Sequence, residues 1–106
     1  MTFEAFFAAA KERLSHADVS GIPGRLAFQF DITGEGAGTF YLEVKDGRLS
    51  VEPYDYRDRD VCITCTTDTL LKIADKKLDP VLAFTLHKLK IDGPLDKALL
   101  LKQLLR

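Results

Sequence analysis

The sequence contains no tryptophan, one methionine, two cysteines, two histidines and four prolines in 106 residues. Each scarcity removes a class of protein. Cys62 and Cys65 are too few for a disulfide framework. Their Cys-x-x-Cys spacing has no second pair to complete a zinc site. In a strand, an odd separation sends the two sulfurs to opposite faces, so a redox pair is disfavoured as well. His16 and His87 are far apart, and no serine or cysteine motif of the hydrolase kind accompanies either. No catalytic set emerges, and the sequence is read as that of a protein that is not an enzyme.

Other absences set location and partners. No apolar run approaches the length needed to span a bilayer. The start, Met1-Thr2-Phe3-Glu4, lacks the basic segment and apolar core of a signal peptide. The end, Leu104-Leu105-Arg106, is not a peroxisomal address. The expectation is a reducing cytoplasm. Fifteen basic side chains stand against sixteen acidic ones, a net charge of −1. That leaves no excess to neutralise a phosphate backbone, so nucleic acid is not an expected partner. Asp55, Asp58 and Asp60 are interleaved with Arg57 and Arg59, and no glycine supplies the tight turn of a calcium loop. Residues 53–60 read as a solvated loop, with no metal and no cofactor.

What is present is apolar periodicity, enough for one domain over residues 1–106. Phe3, Phe6, Phe7, Ala10, Leu14 and Ala17 fall at helical spacing over 3–17, with Thr2 as cap. Ser20, Gly21, Pro23 and Gly24 mark a connector over 18–24. Strict alternation then predicts strands at 25–33, 39–45 and 48–52. Gly34-Glu35-Gly36-Ala37-Gly38 joins the first two as a flexible hairpin loop, because a strand and not a helix follows it. Asp46-Gly47 is a tight turn requiring positive φ. One face of this antiparallel meander carries Leu26, Phe28, Phe30, Ile32, Phe40, Leu42, Val44, Leu49 and Val51, and helices must cover it.

A fourth strand follows at 61–65. Thr66-Thr67-Asp68 starts a helix through Leu70, Leu71, Ile73 and Ala74, and Asp79-Pro80 starts another. His87 to Ile91 is expected to be extended, with Leu89 and Ile91 alternating against Lys88 and Lys90. Gly93-Pro94 then opens a final helix over 95–105. That helix has two apolar strips. Leu95, Ala98, Leu99, Leu101 and Leu105 form the broad side expected on the core. Leu100 and Leu104 form a second strip that needs a cover: another helix, a partner chain or a bound lipid.

Lys77-Leu78-Asp79-Pro80, Ala83-Phe84, Lys88-Leu89-Lys90-Ile91 and Gly93, followed by Ala98 and Leu101, resemble the C-terminal motif of the sterol carrier protein type 2 family in type and spacing. The order of the upstream elements fits too, so the resemblance covers nearly the whole chain. It implies an α+β fold: a single mixed five-stranded sheet, the antiparallel meander plus two further strands. Helices would cover one face and enclose an apolar cavity. It also implies non-enzymatic binding or transfer of a fatty acid, acyl-CoA or sterol-like ligand, with the C-terminal helix gating the mouth. On this reading the cavity walls come from Phe28, Phe30, Phe40, Leu42, Ile63, Ile73, Phe84, Leu86, Leu99 and Leu101. Lys88 and Lys90 would meet an acidic head group if they lie at the rim. Transient membrane contact and a homodimer are the further partners considered. The rival is an accessory protein that uses its apolar C-terminal helix for partner or self-association. Two positions depart from the family pattern: Leu86-His87 replace a polar residue and glycine, and Lys76 stands where glycine is frequent.

Overall fold

The computed structural model describes residues 2–22 and 24–105; Pro23, in the expected connector, lies outside them. The chain folds into an α+β structure in which helices lie against one face of an open, mixed five-stranded sheet. The elements run α1 (Phe3–Leu14), β1 (Arg25–Thr33), β2 (Gly38–Lys45), β3 (Arg48–Glu52), β4 (Val61–Thr66), α2 (Thr67–Ala74), α3 (Pro80–Thr85), β5 (Lys90–Asp92), α4 (Leu95–Ala98) and α5 (Leu100–Leu104). Strand order is β3-β2-β1-β4-β5. β1 and β4 pair in parallel, Phe28 beside Val61 and Thr33 beside Thr66. The other neighbours are antiparallel.

Alternation decides the inner face. Phe28, Phe30, Phe40, Leu42, Val44 and Ile63 are fully buried there, joined by Phe6, Ala10 and Leu14 of α1 and by Leu70 and Ile73 of α2. Phe30 and Phe40 stack with ring centroids 4.8 Å apart, and Phe6 meets Phe40 edge-on at 6.1 Å. Burying such aromatic pairs removes large apolar areas from water, at ~25 cal/mol per Å². Thr2 caps α1 by accepting from the Ala5 N–H at 3.1 Å, as its position predicts. The helix stops at Leu14, one turn short of the periodicity, with Ser15 as C-cap.

The outer face differs from expectation. Ala27 and Gln29 point away from the helices yet are buried, at 0% and 6% exposure. The segment 53–60 covers them, so it is only in part the solvated loop its composition predicts. Its attachments are specific. The Asp60 N–H donates to the Ala27 carbonyl at 2.9 Å, and the Ala27 N–H donates to Asp60 Oδ2 at 2.8 Å. The Tyr56 ring packs on Tyr41 at 5.0 Å, and its hydroxyl donates to Glu43. Tyr54, Asp55, Arg57, Asp58 and Arg59 remain exposed.

Asp46 and Gly47 take φ of 51° and 78°, the two-residue turn that their sequence predicts. Lys76 and His87 also lie at positive φ, 64° and 60°. Both occupy the residue after a helix C-cap. The Lys77 N–H reaches back to the Lys72 carbonyl at 2.8 Å, and the Lys88 N–H to the Ala83 carbonyl at 2.9 Å. These six-to-one bonds are Schellman closures, whose left-handed position glycine fills at least cost. Lys76 and His87, the positions where the family pattern has glycine, are thus both at positive φ, where glycine fits at least cost. His87 is accordingly a helix terminator, and the extended segment begins at Lys90 rather than His87. Asp79 stands at the α3 N-cap without a side-chain capping bond, with Pro80 in the first turn.

The final helix is two short helices. Leu99 ends α4 and precedes α5, and the Lys102 N–H bonds the Leu99 carbonyl three residues back at 3.1 Å. This tighter turn rotates the second half relative to an unbroken α-helix. Its consequence corrects the expected strips. Leu104 is fully buried and Leu100 partly so, while Leu95 and Leu99 stand 58% and 56% exposed. The uncovered Leu95 and Leu99 come from the side expected on the core, whose Ala98, Leu101 and Leu105 are buried as expected.

Candidate functional site

An apolar cleft of about 160 Å³ lies between the β4–β5 edge of the sheet and the C-terminal helices. Ile63 and Ile91 form its floor as neighbours across the β4–β5 pairing. Pro80, Val81 and Phe84 of α3 form one wall, Leu89 adjoins them, and Leu95, Ala98, Leu99 and Leu101 form the other wall. Lys102 is the sole ionisable side chain on this lining, and its ammonium lies 3.6 Å from Asp79 at the start of α3. Both partners are largely exposed. The pair marks the rim and adds little stability.

Four of the ten side chains nominated from sequence meet at this cleft: Ile63, Phe84, Leu99 and Leu101. Phe28, Phe30, Phe40, Leu42 and Ile73 sit elsewhere, sealed in the core between sheet, α1 and α2 at 0–1% exposure. Leu86 is 51% exposed at the C-cap of α3, outside the lining. The cleft also takes in Val81, Leu89, Ile91, Leu95 and Ala98. Their signal in the sequence is proximity to Pro80 and Gly93, where two short elements begin and leave a gap between them.

Gly93 shapes that gap. Its φ is +137°, and an added Cβ would fall 2.7 Å from the Asp60 carbonyl oxygen. Only glycine allows the chain to leave β5 this close to β4 before α4 begins. Lys97 of α4 then bonds Asp60 at 3.0 Å, which ties α4 to the outer loop. Burial alone would push Asp60 up. The Ala27 N–H, Lys97 and Arg25 outweigh it and hold the carboxyl below its usual range.

Lys88 and Lys90 face a separate polar groove of about 460 Å³, on the far side of Leu89, with Thr33, Thr64, Thr66, Asp68, Thr69 and His87. The cysteines are free and buried on opposite faces. Burial pushes the Cys65 thiol up to about 12. Burial and then Asp31, whose carboxylate accepts from the Cys62 thiol at 3.3 Å, push Cys62 up to about 11. Both are neutral thiols at physiological pH, poor nucleophiles and poor metal ligands. Among the described residues, no group of three His, Cys, Asp or Glu side chains is placed to hold a metal ion. No helix among them is long and apolar enough to cross a membrane.

Sheet order, one-sided helices and an apolar cleft under the C-terminal helices define an α+β domain of the sterol-carrier type. The model of the SCP-2 sterol transfer family matches residues 3–106, and the chain belongs to that family. It is 34% identical over 103 residues to mouse (Mus musculus) hydroxysteroid dehydrogenase-like protein 2, covering 96% of this chain and 21% of the relative. It is 36% identical over 87 residues to cattle (Bos taurus) sterol carrier protein 2, covering 81% of this chain and 16% of the relative. The chain thus spans about a fifth of the length of these curated relatives. Among solved structures, Aedes aegypti sterol carrier protein 2 in complex with the C16 fatty acid palmitate superposes with a TM-score of 0.67. The identity is 22%, over 99% of this chain and 94% of that one.

Proposed function

We propose that this protein binds and transfers lipid-like hydrophobic molecules without transforming them, and that the segment from Leu95 to Leu104 gates the site. The observation that carries this reading is the cleft, whose lining is apolar apart from Lys102 and whose rim residues Phe84, Leu95 and Leu99 are 42–58% exposed. Such a surface gains by removing apolar area from water. A site for a drug-sized ligand holds roughly 300–1,000 Å³, more than the cleft offers. A fatty acid, acyl-CoA or sterol-like ligand therefore requires the lid to move. The α4–α5 joint at Leu99, where the Lys102 N–H bonds the Leu99 carbonyl three residues back, is the natural place for that motion.

The ligand-bound Aedes relative supports the reading by fold, and family membership supports it by descent. The deeper residues Phe28, Phe30, Phe40, Leu42 and Ile73 become ligand contacts only if opening the lid extends the cleft inward; Leu86 then belongs to the entrance. A reducing compartment such as the cytoplasm suits two free thiols. Exchange calls for transient contact with a membrane.

Native mass spectrometry of the protein as purified from cells, followed by delipidation and titration with a fluorescent fatty acid, tests the proposal. Bound lipid and saturable uptake are expected. Repeated absence of both overturns it. The rival, self-association through the lid, is favoured by the exposure of Leu95 and Leu99. A Leu95→Glu, Leu99→Glu double variant that loses a dimer but keeps lipid uptake would decide for the rival.

A further inference from the structure

We propose that Lys102 makes this cleft selective for single-chain amphiphiles that end in a carboxylate, over neutral lipids of the same length. The assignment rests on the lipid-carrier reading and names the class of ligand within it. Of the eleven described residues that line the cleft, ten carry only hydrocarbon side chains, and Lys102 is the exception. No hydroxyl, amide or carboxylate side chain lies among them. An amphiphile seated with its chain over Ile63, Ile91 and Ala98 therefore meets one polar side chain on the lining, and that one is cationic.

Neighbouring lysines do not compete for this role. Lys88 and Lys90, expected from sequence to meet a head group, lie on the separate polar groove beyond Leu89. Lys97 is bonded to Asp60 at 3.0 Å. Lys102 is held only loosely. Its ammonium is 3.6 Å from Asp79 Oδ1, an ion pair too long for a hydrogen bond, and the two side chains are 62% and 41% exposed. Asp79 stands at the N-cap of α3 without a side-chain capping bond. A ligand that draws Lys102 away from Asp79 therefore breaks no bond on which α3 or α5 depends.

This arrangement distinguishes ligands by the chemistry of their polar end. A carboxylate arriving at the rim can take the hydrogen-bonded position at Lys102 that Asp79 leaves unfilled, and a charge-assisted bond of this kind is about twice as strong as a neutral one. A hydroxyl can accept from the same ammonium but brings no charge. The exchange costs little, because an exposed ion pair contributes little to stability. Asp79 tempers the preference, since its own charge repels the arriving one. Water and salt screen the rim, so the selectivity is several-fold and not of many orders.

The test is calorimetric titration of the delipidated full chain with decanoate, decanol and decylamine at neutral pH and low salt. Decanoate should bind roughly fivefold more tightly than decanol, and the margin should shrink as salt rises. Lys102→Met should bring decanoate down to the affinity of decanol. Asp79→Asn should widen the margin, because it removes the repelling charge and frees the ammonium. Both positions are exposed, so urea midpoints should match the parent's and exclude misfolding as the cause. A margin that survives Lys102→Met, or one that Asp79→Asn fails to widen, overturns the proposal. Decylamine bound more tightly than decanoate does so too, by assigning the charge selection to Asp79. Equal affinity for all three overturns the proposal and leaves the carrier reading standing, whereas binding of none overturns both.

Discussion

The Tyr56 N–H donates to Oε1 of Gln29 at 2.8 Å, fixing the 53–60 segment to the centre of the sheet. The other end of the same amide donates to Asp31 Oδ1 at 3.0 Å. Gln29 is thereby a buried polar side chain with both ends occupied. Gln29→Leu keeps the volume but strands the Tyr56 N–H. It should cost about 1–3 kcal/mol, read as a lower urea midpoint with an unchanged slope. A midpoint equal to the parent's would show that water replaces the glutamine.

These contacts explain how much of the fold was legible. The strands of the meander were, because Leu26, Phe28, Phe30 and Ile32 alternate with Ala27, Gln29 and Asp31 and Asp46-Gly47 marks a hairpin. The attachment of the 53–60 segment was not. Asp60 and Ala27 are 33 residues apart, and no local pattern reports a partner at that distance. The C-terminal segment differed for another reason. Nothing at Leu99 signals a break, no glycine and no proline, yet the helix breaks there, with Leu104 buried and Leu95 and Leu99 left exposed. The cleft was half visible: Ile63, Phe84, Leu99 and Leu101 are large apolar residues in predicted elements. Ala98 and Ile91 matter by position, which only the packing of short elements reveals.

Relieving the left-handed C′ positions should stabilise the protein. A left-handed residue other than glycine costs roughly 1–2 kcal/mol, and glycine's greater freedom in the unfolded chain returns about 0.4–1 of that. His87→Gly and Lys76→Gly should each raise stability by about 0.5–1 kcal/mol in thermal or urea melts. The effects should add, because the sites close different helices. A lower melting temperature in either variant would mean that the side chain makes a contact worth more than the backbone strain.

Enlarging Ala98 should close the site while sparing the fold. Ala98 is 7% exposed and lines the cleft. Ala98→Leu should keep or slightly raise the urea midpoint, with each buried methylene contributing about 0.8 kcal/mol. Fatty-acid uptake should fall at least about tenfold, equivalent to about 1.4 kcal/mol. Undiminished uptake would place the ligand elsewhere in the molecule.

The raised thiols give a pH signature. Cys65 moves from 9.0 to about 12 and Cys62 from 9.0 to about 11 on folding. Above pH 9 the unfolded thiols release protons that the folded ones retain, so stability is lost as pH rises from there. Urea midpoints from pH 8 to 11 should fall, and Cys65→Ala should flatten the decline even though its neutral-pH stability is lower. Iodoacetamide at pH 8 should leave both thiols unmodified until urea is added. Rapid labelling of the native protein would contradict their burial.

The three tyrosines, Tyr41, Tyr54 and Tyr56, all belong to the strand and loop that face away from the helices, and Tyr41 and Tyr56 touch at 5.0 Å. With no tryptophan present, ultraviolet emission reports only that remote side of the sheet. The cleft is optically silent. Adding a colourless fatty acid should leave tyrosine emission unchanged, whereas release of the 53–60 segment should alter it well before the helices melt. A tryptophan introduced at Leu95 would place the fluorophore on the cleft wall, where the proposed opening could be read against a dark background.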